Sequence, residues 1–195
     1  MRRTVLAVGG ALLAVVAAVA AFAFARTGSE ASQRSDRRGT EAACCWKGGA
    51  TPEWMSGQLG VRIPAGASQR RAGYKTGSRY DVGLLSFALP REEADAFLAR
   101  LVPDDQDMIK NYHPEAKGYA PSAGFGHLGL PEPETLAKGL RKINFCPDAA
   151  TSPEGKRLRY CVELYAHAFA PDRERLYVRS TIEPGLTPPP AASGA

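Results

Sequence analysis

Histidine is scarce in this chain, with only His113, His127 and His167 in 195 residues, well separated in sequence. That scarcity removes most metal and acid–base chemistry, since a zinc site or a Ser-His or Cys-His pair needs an imidazole beside its partners. No C-x-x-C, G-x-S-x-G or complete EF-hand loop is present. Gly124-Phe125-Gly126-His127-Leu128-Gly129 has the spelling of G-x-G-x-x-G. No strand pattern precedes it, and Leu130-Pro131-Glu132-Pro133 stands where a phosphate-binding helix should begin. It is expected to be a packed loop. Asp104, Asp105 and Asp107 lack the glycine and the distant glutamate of a calcium loop, so they read as a solvated helix end. Catalytic, metal-ligating and cofactor-binding residues are therefore expected to be absent, and the three histidines are expected to be structural or exposed.

Charge is missing from a long N-terminal stretch. After Arg2 and Arg3, residues Thr4 to Ala25 run without a charged side chain. At about 1.5 Å per residue such a helix is roughly 33 Å long, enough to cross a hydrocarbon core of about 30 Å. Residues 1–25 are therefore expected to be a signal anchor or a signal peptide. Alanine-rich composition and the A-x-A spellings at Ala21–Ala23 and Ala23–Ala25 give the alternative of cleavage near Ala23 or Ala25 and a free secreted protein. Arginines on both sides of the run leave the positive-inside count without a preference for export. The four cysteines, an even number, fit an oxidising compartment and favour a C-terminal domain outside the membrane.

Residues 26–43 are rich in Ser, Arg, Glu and Gly, with almost nothing apolar to bury, and read as a flexible linker. Residues 186–195, with three consecutive prolines, read as a disordered tail. One domain is expected between them, over 44–185. The net charge of +5 is mild and agrees with contact to anionic lipid or wall polymer.

The patterning predicts an α+β fold, an antiparallel sheet with one or two helices on one face. Val61-Arg62-Ile63 and Gln69 to Tyr74 read as short strands. Asp81 to Leu89 is apolar on both faces, which suits a strand inside a sheet. Pro90 ends it, and REEADAFLARLV follows with Ala94, Phe97, Leu98 and Leu101 on one helical face. Glu134 to Ile143 carries a short helical pattern. The segments around Tyr160–Ala168 and Leu176–Ile182 alternate across the turn Pro171–Glu174, predicting a hairpin with one apolar and one polar face.

Cys44, Cys45, Cys146 and Cys161 allow three pairings. Joining neighbours Cys44 and Cys45 demands unusual geometry. The expected staples therefore join Cys44 and Cys45 to Cys146 and Cys161, in either order. The alternative is a single Cys146–Cys161 bridge with a free vicinal pair. The basic run Arg70, Arg71, Lys75 and Arg79, with Tyr74 and Tyr80 beside it, is a possible anionic-ligand patch; nucleic acid is not expected of an exported chain.

VRIPAGA (Val61–Ala67), RAGY (Arg71–Tyr74), LLSFALP (Leu84–Pro90), EADAFLARL (Glu93–Leu101) and AGFGHLGLP (Ala123–Pro131) resemble segments of a group of uncharacterised secreted or membrane-anchored proteins of actinobacteria. The resemblance implies location and no reaction. The expected function is a non-enzymatic, membrane-tethered extracytoplasmic domain that binds a protein partner or an anionic envelope polymer, with a small secreted hydrolase or enzyme inhibitor as the alternative. A cleft joining two or more of Glu163, Tyr165, His167, Arg179 and His127 would favour the enzyme, and a flat polar face the binder.

Overall fold

The computed structural model describes residues 45–147 and 158–190. The apolar run 4–25, the linker 26–43, Cys44 and the end of the tail, 191–195, lie outside the described residues. Among the described residues no helix is long and apolar enough to cross a membrane. The elements are β1 (Trp46–Lys47), α1 (Pro52–Leu59), β2 (Ser68–Lys75), β3 (Asp81–Pro90), α2 (Arg91–Leu101), β4 (Ile109–Lys110), β5 (Leu140–Phe145), β6 (Val162–Ala170) and β7 (Arg173–Ile182). Two 3-10 turns, Phe125–Leu128 and Pro133–Thr135, interrupt the segment between β4 and β5. The strands form one seven-stranded sheet in the order β1-β2-β3-β7-β6-β5-β4, antiparallel throughout. This is an α+β architecture, as the patterning predicts.

Strand β3 lies between β2 and β7, and its double-sided apolarity is used on both sides. Leu85, Phe87 and Leu89 join Leu176, Val178, Ile182, Val162 and Leu164 in a core that also takes Met55 and Leu59 of α1 and Phe97, Leu98 and Leu101 of α2. Leu84 points the other way, toward Phe125, Leu130, Leu140, Tyr165 and Tyr177. Both helices therefore cover one face, and the Pro- and Gly-rich segment between β4 and β5 covers the middle of the other. The hairpin β6–β7 forms with a tighter turn than expected, Arg173 and Glu174 already pairing with Ala170 and Ala168, and its second face is not simply polar: Tyr165 and Tyr177 are buried beneath that segment.

Three expectations fail for identifiable reasons. Val61–Ile63 is not a strand, because the end of α1 claims its backbone: the Gly60 and Val61 amides both reach the Ser56 carbonyl, and the Ser56 hydroxyl donates to the Val61 carbonyl at 2.8 Å. Helix α1, which the patterning does not predict, is set by its caps rather than by periodicity. The Thr51 hydroxyl accepts from the Trp54 amide at 3.1 Å, Pro52 and Glu53 open the first turn, and Gly60 closes the helix at φ 72°. Glu134–Ile143 is not a helix either. Only Pro133–Thr135 turns, Gly139 takes φ 70°, and Ile143 and Phe145 then alternate into the core as part of β5.

The long-range staples are the third. Cys146 bonds to Cys161, across a sequence separation of 15, so neither is left for Cys44 or Cys45. Cys45 is disulfide-bonded as well, so it is not the free thiol of the alternative pairing. A ring of this size contributes about 3 kcal/mol in the chain-entropy picture.

Candidate functional site

Side chains alternate along each strand, so the sheet register fixes what stands on the face away from the helices. Leu84, Arg179, Glu163 and Asn144 form one rung across four strands. The next carries Arg71, Ser86, Tyr177, Tyr165 and Lys142, and the one beyond it Ala88, Arg175, His167 and Leu140. The covering segment dries the middle with Phe125, whose ring meets Tyr177 edge-on at 5.0 Å, leaving polar groups at both ends.

At one end Arg179 ties the cover to the sheet. Its Nη1 lies 2.5 Å from Glu134 and 3.0 Å from Glu163, and Nη2 lies 3.6 Å from Glu132, while the guanidinium sits over the Phe125 ring at 5.3 Å. The Tyr165 hydroxyl donates to Glu134 and Glu163 at 3.2 and 3.3 Å. Burial, then the charges of Glu163 and Glu134, push the Tyr165 hydroxyl well above the usual phenol range. Arg179 is held above its usual range despite burial, because Glu134 hydrogen-bonds it and supplies opposite charge.

Glu132 also fills the glycine loop. Its carboxylate accepts from the Phe125 and Gly126 amides at 3.0 and 2.7 Å, the donors a phosphate would need. The G-x-G-x-x-G spelling is therefore a packed turn, as expected. A β-carbon at Gly124 would run into the Glu132 carboxylate. Gly124→Ala is expected to destabilise the domain by about 2 kcal/mol, the scale of displaced charge-assisted hydrogen bonds. Urea denaturation measures it; a loss below about 0.5 kcal/mol would mean that the carboxylate does not hold the turn.

Beside Arg179 a pocket of about 410 Å³ opens. Val82, Thr181, Arg179, Glu163 and Asn144 line it from the sheet, Pro121–Ala123 from the cover, and the exposed Cys146–Cys161 bridge stands at its rim. Both hydrogen bonds to Glu163 use Oε2. The Ser180 hydroxyl donates to the Cys161 carbonyl at 2.8 Å, with no histidine in the lining.

Of the five residues whose convergence was the test for a cleft, the structure brings together Glu163, Tyr165 and Arg179, and places Glu163 and Arg179 in one pocket. His127 lies elsewhere, stacked on Trp46 with centroids 3.9 Å apart, and the bare Gly73 lets that indole lie against β2. Burial, then the Lys75 charge, lower the His127 imidazole. His167 is lowered chiefly by burial, against a raising backbone hydrogen bond at Lys138. His113 is exposed.

The basic run divides. Arg70 turns to the helix side, donating to the carbonyls of Ala67, Pro64 and Ala65 and lying 3.5 Å from Glu53. Arg71 and Lys75 turn to the other side, donating to the carbonyls of Leu128 and Ser122, and Arg79 lies over Tyr80. Strand alternation splits what the sequence groups. Asp104, Asp105 and Asp107 are exposed, and no group of His, Cys, Asp and Glu among the described residues could hold a metal ion. No family model, curated protein or solved structure matches this chain.

Proposed function

We propose that this chain is a membrane-tethered extracytoplasmic domain that binds an envelope component or a protein partner in the pocket beside Glu163, without catalysing a reaction. One observation carries the reading: the charged groups at the pocket floor are ion-paired with one another. Arg179 is surrounded by Glu132, Glu134 and Glu163, and the Tyr165 hydroxyl is committed to the same carboxylates. A general acid or base must be able to exchange its proton near the working pH, and Tyr165 is pushed away from it. The uncharged run 4–25, the linker and the paired cysteines support the tether and the outer location.

The presence of Glu163 and Arg179 in one pocket favours a second reading, a small secreted hydrolase with Glu163 as base. Sedimentation with isolated envelope material separates the two. The full chain in non-ionic detergent is expected to co-sediment, and Thr181→Trp, which fills the pocket, to reduce the bound fraction at least tenfold. Equal sedimentation of the variant removes the pocket from the binding. Turnover of ester, glycoside or peptide substrates that disappears in Glu163→Gln replaces binding with hydrolysis.

A further inference from the structure

The opposite end of the same face gathers three arginines without a counter-charge. Arg71 comes from β2 and Arg173 and Arg175 from β7, with β3 between them. On this face β3 offers Ser86 and Ala88, both fully buried and small, and Pro90 opposite Arg173, none of them long or charged, so long side chains from the two flanking strands can reach over them. Every hydrogen-bond partner of the three guanidinium groups is neutral: the Leu128 carbonyl for Arg71, the Ser68 hydroxyl for Arg173 and the Gln69 side-chain carbonyl for Arg175. None of the three has a carboxylate within ion-pair distance among the described residues. Arg141 and Arg179 differ in this respect, each being paired with two or more carboxylates.

Two donors there are left over. Arg173 Nε and Arg175 Nη1 are shielded from solvent and have no hydrogen-bond partner. An unmet buried N–H is costly, and a cluster of like charges adds to that cost. Burial lowers the Arg175 guanidinium from its usual range; Tyr177 opposes this, and the charges of Arg71 and Arg173 add to it. Phe169, 42 % exposed, forms a wall, with the Arg175 guanidinium 5.3 Å above its ring.

We infer that Arg71, Arg173 and Arg175 form a receptor for a phosphate group. Three forks approaching from two strands match a tetrahedral oxyanion, which offers acceptors in several directions; a planar carboxylate satisfies a single fork. The phosphate belongs to a phospholipid headgroup or to a soluble phosphate-bearing molecule. The site deepens the envelope-binding reading and rests on it only for where the phosphate comes from.

The test uses inorganic phosphate and the full chain in non-ionic detergent, so its failure leaves the pocket reading untouched. Calorimetric titration at constant ionic strength is expected to show phosphate binding that weakens at least tenfold in Arg175→Gln and in Arg173→Gln. Arg70→Gln and Arg79→Gln, whose side chains lie elsewhere, are expected to bind as the parent does. Melting temperatures without phosphate identify any variant that fails to fold, and Arg175→Lys, which keeps the charge but not the fork, is expected to fall between. If free phosphate has no effect, nanodiscs containing phosphatidylglycerol are expected to raise the melting temperature over phosphatidylcholine nanodiscs in an Arg175-dependent way, marking a headgroup as the source. Binding unchanged in both variants, an equal response to chloride, or no response to either phosphate or phosphatidylglycerol overturns the proposal.

Discussion

Arg179→Leu is expected to cost the domain about 3–5 kcal/mol, the scale for breaking a buried charge pair from one side. Arg179 is the cation among Glu132, Glu134 and Glu163, and the side chains of Glu132 and Glu134 are only 10 % and 13 % exposed. Glu134 Oε2 already lacks a hydrogen-bond partner, so removing the arginine leaves this carboxylate with the Tyr165 hydroxyl as its remaining donor. The effect should spread beyond one contact, because Glu132 and Glu134 belong to the cover and Glu163 and Arg179 to the sheet. Loss of the clamp is therefore expected to expose Phe125 and Tyr177 before the helix-side core melts. Urea denaturation followed by tyrosine fluorescence and by far-ultraviolet circular dichroism measures both. Adding Glu134→Gln should restore part of the loss; a single transition shifted by less than about 1 kcal/mol would mean that the cover stands without its clamp.

The second large effect is alkaline. Tyr74, Tyr165 and Tyr177 all have hydroxyls raised above the ordinary phenol value, burial being the first cause in each case. Tyr74 is raised further by its hydrogen bond to the buried Asp81, and Tyr177 is pushed up to about 12. A group that is harder to deprotonate in the fold than in the open chain leaves stability intact below about pH 10. The open chain then loses protons first, and stability falls as pH rises through the folded values. For Tyr177 alone the loss is about 3 kcal/mol by pH 12, at roughly 1.4 kcal/mol per pH unit. Absorbance of phenolate against pH follows the ionisation of the tyrosines. The three buried tyrosines are expected to ionise only in a steep step that coincides with loss of structure. Smooth ionisation of all seven with the fold intact would contradict the burial of those hydroxyls.

What the sequence showed and what it hid follow from the range of the interactions. Helix α2 and the β6–β7 hairpin are set by local periodicity and a short turn, so their residues could be read directly. The double-sided apolarity of β3 also predicted its neighbours on both sides. Alternation within β2 is legible too, and it bears on the basic run. A strand sends Arg70 and Arg71 to opposite faces, and this alone dissolves that patch. The clamp was hidden for a different reason. Glu163 and Arg179 are brought together by the sheet register, and Glu132 and Glu134 reach them from the cover, a contact that no local pattern predicts. Arg71 with Arg173 and Arg175 is the same case across about a hundred residues. The disulfide shows the converse: the bridge given as the alternative, Cys146 to Cys161, is the one that forms, because the two extend the β5–β6 ladder on facing strands.

The two outermost strands, β1 and β4, have two residues each, and they pair only with Tyr74–Lys75 and Arg141–Lys142. Most of the β2 and β5 margins therefore carries no further strand. An open margin is a template for another copy. The exposed Arg70 and Arg71 stand along the β2 margin, and like charges facing each other oppose sheet-to-sheet joining. At the far margin Asn144 is the one exposed residue between the buried Ile143 and Phe145. High concentration would thus press these domains together through β5 rather than β2, so a charge introduced at Asn144 is the economical way to keep them from aggregating.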